Sequence, residues 1–480
     1  MRPNILFIII DALRARNVGC YGYKKAITPN IDRIANDSIV FNNAFSTINT
    51  TDPSLTSILT GQYPSSHGII AHGNKVKDYQ IKNLINLRSQ FLQEILNNYD
   101  YNTIAVDFLE RWHKFGFDEY LSELKKKSRS KKLLRKIFDK VPSFLQRILR
   151  KISIKLNIIS GYSSKDYKFL KYKREREFTD ITIQKINELA NKKSPFFIFL
   201  HYWGVHIPYE PPPQYLEDLD ITGYQENPPI TQIIKELDGQ WKNRLERFID
   251  LYNVKSTQEM LARYDICIKF VDDEVGRIIS TLQEQNIYND TIILITSDHG
   301  ESLTEHGIYF DHHGLYDVSI HVPIIMKFPN FKYKKINSLV QHIDILPTVL
   351  DYLNIPYSEN IDGKSMIPLI NNGNRFRELI LTEEHHTEIK KSIRTKNFKY
   401  IYSDSKKNAT CEYCGKIHGG IEELYDLRSD PNENTNLIND KTKIAEEFKK
   451  LLEIKYNQIL ERSKISNVVR NIELDEFKNI

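Results

Sequence analysis

Asn4-Ile5-Leu6-Phe7-Ile8-Ile9-Ile10-Asp11 decides the fold. A continuous apolar run of this length reads as a strand buried on both faces, and such strands belong to parallel sheets covered by helices on either side. An aspartate closes the run. Much further along, Thr291-Ile292-Ile293-Leu294-Ile295-Thr296 makes a second run of the same kind, and Ser297-Asp298-His299-Gly300-Glu301 follows at once. Ligands of parallel α/β sheets bind outside the carboxyl ends of the strands. Two strands that end in oxygen and nitrogen donors predict one metal site assembled from distant parts of the chain. Asp11, Asp298 and His299 are its candidate ligands, and an Asp-His-Gly turn without ligands is the plainer reading of the second segment.

Working outward, residues 54–60 read as a short helix stopped by Gly61, and residues 178–190 as an amphipathic one. Pro195 to Leu200 is a buried strand pattern. Residues 257–286 carry a long helical period through Met260, Tyr264, Ile268, Val271, Val275, Ile278 and Leu282. Val322 to Phe328 makes a further strand. The alternation predicts an α/β fold with a mostly parallel central sheet between helical layers. From about residue 376 short strands with turns, such as Phe398 to Tyr402, predict a smaller α+β subdomain, and a helical tail follows from about 441. The expected division is thus 1–375, 376–440 and 441–480. Between 121 and 176 stand 19 lysines or arginines against four acids. That stretch reads as a helical insertion, suited to an anionic membrane surface, a polyanionic substrate or simply solvent.

With 480 residues a sizeable core is easily buried. A net charge of +5 gives no reason to expect nucleic acid. Four cysteines are too few for a disulfide scaffold, so a reducing, cytoplasmic setting is expected. Arg2 before a short apolar run mimics a signal peptide, but the run ends in Asp11 without a small-residue cleavage site. No apolar stretch is long enough for a membrane-spanning helix.

Thr50-Thr51-Asp52-Pro53-Ser54-Leu55-Thr56-Ser57-Ile58-Leu59-Thr60-Gly61-Gln62-Tyr63-Pro64-Ser65-Ser66-His67-Gly68 resembles the signature of the sulfatase family, within the alkaline phosphatase superfamily. Arg2 to Asp11 with Gly19-Cys20-Tyr21-Gly22 resembles the family's first strand and loop, Thr296 to Glu301 its second metal segment, and Leu315-Tyr316-Asp317 with His321-Val322-Pro323, then His342 to Thr348, its later landmarks. Glu423 to Leu427 with Asp430-Pro431 and Asn436-Leu437 resembles the last. The resemblance implies an alkaline-phosphatase-like three-layer sandwich and hydrolysis of anionic esters. It also implies departures. Sulfatases carry a cysteine or serine, matured to formylglycine, where this chain has Thr51, and an arginine where it has Leu55. Threonine cannot become formylglycine. Superfamily phosphodiesterases and phosphotransferases use a plain threonine there, so the resemblance implies a metal-activated Thr51 nucleophile acting on phosphate-type esters. Sulfuric ester hydrolysis, or binding of an anionic ligand without catalysis, stands as the alternative. An N-cap hydroxyl is the structural reading of Thr51, and Thr50 takes the role if the register slips by one.

By the same resemblance Asp11, Thr51, Asp298 and His299 hold the metal, with Ala12 at the place of the family's second aspartate. Fewer carboxylates and an imidazole favour zinc or manganese, with magnesium or calcium possible. His206, His312 and His313 are implied to contact substrate or a second metal, although Gly204 stands where two-metal relatives carry an aspartate. His67 is expected near the site or in the core. Arg14 is expected to meet an anion or cap a loop. Cys411-Glu412-Tyr413-Cys414 with His418 is half of a paired zinc pattern, and with no second CxxC it reads as two free thiols in a loop. The expected substrate is a small-molecule, glycan or lipid anionic ester.

Overall fold

The computed structural model describes residues 2–86, 90–122, 171–192, 194–217, 219–358, 360–373 and 376–462. Most of the basic insertion read from sequence, its apolar helical period included, lies outside the described residues, as does the tail beyond 462.

Strand β1 (Asn4–Ile10) sits in the middle of an eight-stranded sheet. The other strands are β2 (Ile39–Phe45), β3 (Asn102–Val106), β4 (Glu119–Leu121), β5 (Phe196–Tyr202), β6 (Thr291–Thr296), β7 (Ile324–Lys327) and β8 (Lys334–Gln341). Their order is β4-β3-β5-β1-β6-β7-β2-β8. β1 pairs in parallel with β5 on one side and β6 on the other. Only β7 runs against its neighbours.

The apolar run of β1 serves two cores at once. Leu6, Ile8 and Ile10 face one cluster, and Ile5, Phe7 and Ile9 the other. Helix α1 (Pro29–Ala35) lies on the first side with helix α3 (Lys171–Leu189) and helix α4 (Thr257–Glu284). The period read from sequence, Met260 to Leu282, is the buried stripe of α4. On the second side lie helix α2 (Thr51–Thr60), through Leu55, Ile58 and Leu59, and helix α5 (Ile345–Tyr352). Helix, sheet and helix thus make three layers, as the sequence predicts.

Beyond them β9 (Leu379–Glu384), β10 (Lys390–Thr395), β11 (Phe398–Tyr402) and β12 (Glu422–Asp426) form an antiparallel sheet in the order β12-β11-β10-β9. Helix α6 (Thr442–Arg462) covers one face of it through Ala445, Leu452 and Ile459. This small sheet leans on the large one where Thr47 O accepts the Glu383 N–H at 2.9 Å. Among the described residues no helix is long and apolar enough to cross a membrane.

Candidate active site

Parallel strands bring their carboxyl ends to one edge, so the donors that follow β1 and β6 must meet. Asp11 ends β1, and Asp298 with His299 follows β6. Two loop bonds fix their registry: Leu13 N–H donates to Ser297 Oγ at 2.9 Å, and Ala12 N–H donates to Asp298 Oδ1 at 3.2 Å. Ala12 makes the second bond from a left-handed backbone (φ 62°). The donor atoms of Asp11, Asp298 and His299 lie within 4.8 Å of one another, all buried.

Thr51 opens α2 at the border of this group. Its hydroxyl lies 3.4 Å from His299 Nε2. The helix cap is Thr50, without a side-chain bond to the helix, so Thr51 is not the capping hydroxyl. Gly61 ends α2 in the left-handed region (φ 67°), the stop the sequence announced. Leu55, at the place of the family's arginine, faces the core.

The hydrogen bonds of the rings settle their protons. His299 Nδ1–H donates to Gly300 O at 2.8 Å, His206 Nδ1–H to Ile207 O at 2.7 Å and His312 Nδ1–H to Asn49 O at 2.6 Å. That assignment leaves a lone pair on each Nε2. His299 Nε2 then faces Asp298 Oδ2 at 3.3 Å and Asp11 Oδ1 at 3.6 Å. Two carboxylate oxygens and an imidazole nitrogen thus converge on one buried point. Asp11 Oδ1 and Asp298 Oδ2 are buried, and among the described residues neither has a hydrogen-bond partner. Such a group is unfavourable unless a cation joins it, and the donor set fits a divalent metal.

The charges agree. Burial and the nearby Asp298 push the Asp11 carboxyl well above its ordinary range. For Asp298, burial works upward, but His299, His201 and the Ala12 N–H outweigh it and hold the group low. Burial and the Lys171 charge hold His206 well below the usual imidazole value. Burial and His299 do the same to His312. Both are neutral imidazoles at neutral pH. His312 stacks on His299 at 4.1 Å between centroids, and His206 packs edge-on to His312 at 5.4 Å. Lys171 Nζ holds the His206 loop by donating to His206 O and Pro208 O. A Cβ on Gly204 would lie 2.7 Å from Val271, so this loop has no room for an aspartate there.

His313 is placed apart from its sequence neighbour. Its Nε2 lies 3.6 Å from Cys411 Sγ and 3.3 Å from His418 Nε2. The thiols of the half zinc pattern are free, in the loop between β11 and β12, and buried. Arg14 is engaged by Glu305 at 2.8 Å. His67 is a core histidine: Ile69 N–H donates to its Nδ1 at 3.1 Å, its Nε2 meets Ser57 Oγ at 3.1 Å, and burial lowers its pKa to about 3.

Two features went unread in the sequence. His201 lies near the end of β5, beside β1, with Nε2 3.9 Å from Asp11 Oδ2 and no hydrogen-bond partner among the described residues. Its Nδ1–H donates to Asp107 Oδ1 at 2.9 Å. The carboxyl-end rule that flagged Asp11 would have flagged it too. Next to Thr51, Asp52 gathers Arg111 and His72, the latter at 3.0 Å. No spacing in the sequence announces that trio, because Arg111 comes from a separate loop.

An α/β architecture of this kind, with a metal-competent cluster at the carboxyl edge of its sheet, is that of the alkaline-phosphatase-like hydrolases. A family model described as Sulfatase matches residues 3–355, and one described as N-sulphoglucosamine sulphohydrolase, C-terminal, matches residues 304–462. The chain belongs to the sulfatase family, whose members are ester hydrolases and generally need a divalent metal. It is 25% identical to an arylsulfatase of Clostridium perfringens, over 94% of this chain and 92% of that one. Its fold is shared with the phosphonate monoester hydrolase of Agrobacterium radiobacter (TM-score 0.69, 19% identity, 95% and 96% of the two chains). It is also shared with a protein solved with its substrate D-glucosamine-2-N,6-O-disulfate (TM-score 0.66, 21% identity, 96% and 98%).

Proposed function

We propose that this family member hydrolyses phosphate-type esters with Thr51 as the nucleophile. The observation that carries the reading is the Thr51 hydroxyl 3.4 Å from His299 Nε2, at the border of a buried donor cluster. Asp11, Asp298, His299 and Thr51 would hold the metal, with His201 as a further ligand. An imidazole-rich set with two carboxylates favours zinc or manganese over calcium. A divalent cation there supplies charge that activates a hydroxyl and offsets the developing negative charge of the ester oxygens.

Thr51 Oγ1 attacks phosphorus, the P–O bond to the alcohol breaks, and a phosphothreonine forms. Water then attacks the phosphorus and returns the threonine hydroxyl; a second alcohol in place of water would make the reaction a transfer. His206 and His312 are neutral and present bare Nε2 atoms, so they suit the proton transfers from the nucleophile and to the leaving alkoxide. The start of α2 directs backbone N–H groups toward a bound anion. Free thiols in all four cysteines support a reducing compartment such as the cytoplasm.

The second reading is sulfuric ester hydrolysis, favoured by the arylsulfatase relative. It would need a sulfothreonine to be hydrolysed, without the collapse that formylglycine permits. Turnover of nitrophenyl phosphate, phosphodiester and sulfate by the metal-loaded protein separates the two. Phosphoester turnover that falls by about 10³-fold or more in Thr51→Ala is expected. Sulfate-only turnover would replace the first reading with the second. Activity that survives in the variant would remove Thr51 from the nucleophile's role.

A further inference from the structure

A second donor cluster lies outside the candidate active site and is built from both parts of the chain. His313 comes from the loop that precedes Tyr316, and Cys411, Cys414 and His418 come from the loop between β11 and β12. All four side chains are buried, and their donor atoms lie within 4.8 Å of one another.

The spacings are those of a tetrahedron. Metal–sulfur bonds of about 2.3 Å and metal–nitrogen bonds of about 2.0–2.1 Å give edges of about 3.6 Å between sulfur and nitrogen and about 3.3 Å between two nitrogens. Cys411 Sγ to His313 Nε2 is 3.6 Å, Cys414 Sγ to His418 Nε2 is 3.1 Å, and His313 Nε2 to His418 Nε2 is 3.3 Å.

The proton positions point the same way. His418 Nδ1–H donates to His306 O at 3.3 Å, and His313 Nδ1 lies 3.1 Å from Asp311 Oδ2. The two Nε2 atoms face each other across 3.3 Å. A cation between them would be bound by both rings. Ligating histidines commonly present their other nitrogen to a carbonyl or carboxylate in this way.

The cysteine loop is shaped for the same purpose. Cys411 N–H donates to Lys416 O and Gly415 N–H to Cys411 O, each at 2.8 Å, so the chain turns tightly around both thiols. Gly415 takes the left-handed conformation this turn needs (φ 70°). Tyr413 N–H donates to Cys411 Sγ at 3.4 Å, which fixes the place of the sulfur in the turn.

We propose that His313, Cys411, Cys414 and His418 bind one zinc ion, distinct from the catalytic metal, which clamps the β11–β12 loop onto the His312 loop. Two thiolates and two imidazoles in a closed tetrahedron leave no position for substrate, so the ion is structural. Its consequence for the other site runs through one peptide bond: fixing His313 fixes His312, the ring stacked on His299. The proposal does not rest on the nucleophile assigned above.

The test uses the full chain. Asp11→Asn/Asp298→Asn removes the active-site carboxylates and should still retain one zinc per chain on elemental analysis. Cys411→Ser/Cys414→Ser should lose one zinc per chain relative to the wild type. A misfolded cysteine variant is bypassed by the wild type reconstituted with cobalt alone, which should show a near-ultraviolet thiolate-to-cobalt band and tetrahedral visible bands. Cobalt protein without the thiolate band, or zinc content unchanged by the cysteine substitutions, overturns the proposal. Loss of phosphoester turnover with the thiolate band intact bears on the catalytic reading alone.

Discussion

His201 and Asp107 pose the sharpest question at the scale of single residues. Burial works against a charge on His201, and the bond to Asp107 outweighs it, so the ring's affinity for a proton or a cation is raised. Asp107→Asn should weaken metal binding by about 10–100-fold, read by competition with a chromogenic chelator. Unchanged affinity would exclude His201 as a ligand. The adjacent pair His312 and His313 should separate cleanly. His312→Ala should lower kcat/KM by about 10²-fold or more with folding intact, whereas His313→Ala should lower thermal stability first. Equal kinetic and thermal effects from both would contradict the division drawn here. Asp11, Thr51, Asp298 and His299 were readable as candidates because each lies next to a regular element with its own pattern. The sequence hid Arg111 and the His313–Cys411 partnership, which arise from loop against loop.

Elements carry the geometry, and Gly300 shows how tightly. A Cβ there would lie 2.2 Å from Val318 O, against backbone that cannot swing aside. Gly300→Ala should therefore cost about 1–3 kcal/mol and move His299. The expected result is a lower melting temperature together with weaker metal binding; a wild-type melting curve would show the loop to be more compliant than its packing implies. Helix α4 was legible because its period is sustained over its whole length, and strands β1 and β6 because their unbroken, β-branched apolar runs have strand length. α2 was legible at its end through Gly61, though it begins three residues earlier than its apolar pattern suggests, at Thr51. The reversed direction of β7 was not, since an apolar run such as Ile324 to Lys327 carries no sign of its polarity.

At the scale of the whole molecule, Asp317 links the catalytic layers to the small sheet through Arg394 at 3.0 Å and Lys399 at 2.7 Å. Burial works upward on its pKa, but the two cations outweigh it and hold the carboxyl far below the usual range. The depressed group contributes stability at neutral pH, and that contribution is lost as acid titrates it below about pH 4. Asp317→Asn should remove it at neutral pH, by about 1–3 kcal/mol, because the buried Arg394 loses its carboxylate while Lys399 keeps Glu433. Denaturant melts at pH 7 and pH 3.5 should show the variant's deficit shrinking in acid; a constant deficit would refute the linkage. The central place of β1 also has a consequence for synthesis. Asn4 pairs with Thr291 and Ile5 with Phe197, so both edges of β1 stay open until β5 and β6 have left the ribosome. At about 5–20 residues per second that wait is on the order of tens of seconds, during which an apolar strand invites aggregation. Stalled nascent chains ending before Thr291 should recruit a holding chaperone, and chains carrying the whole of β6 well clear of the exit tunnel should release it.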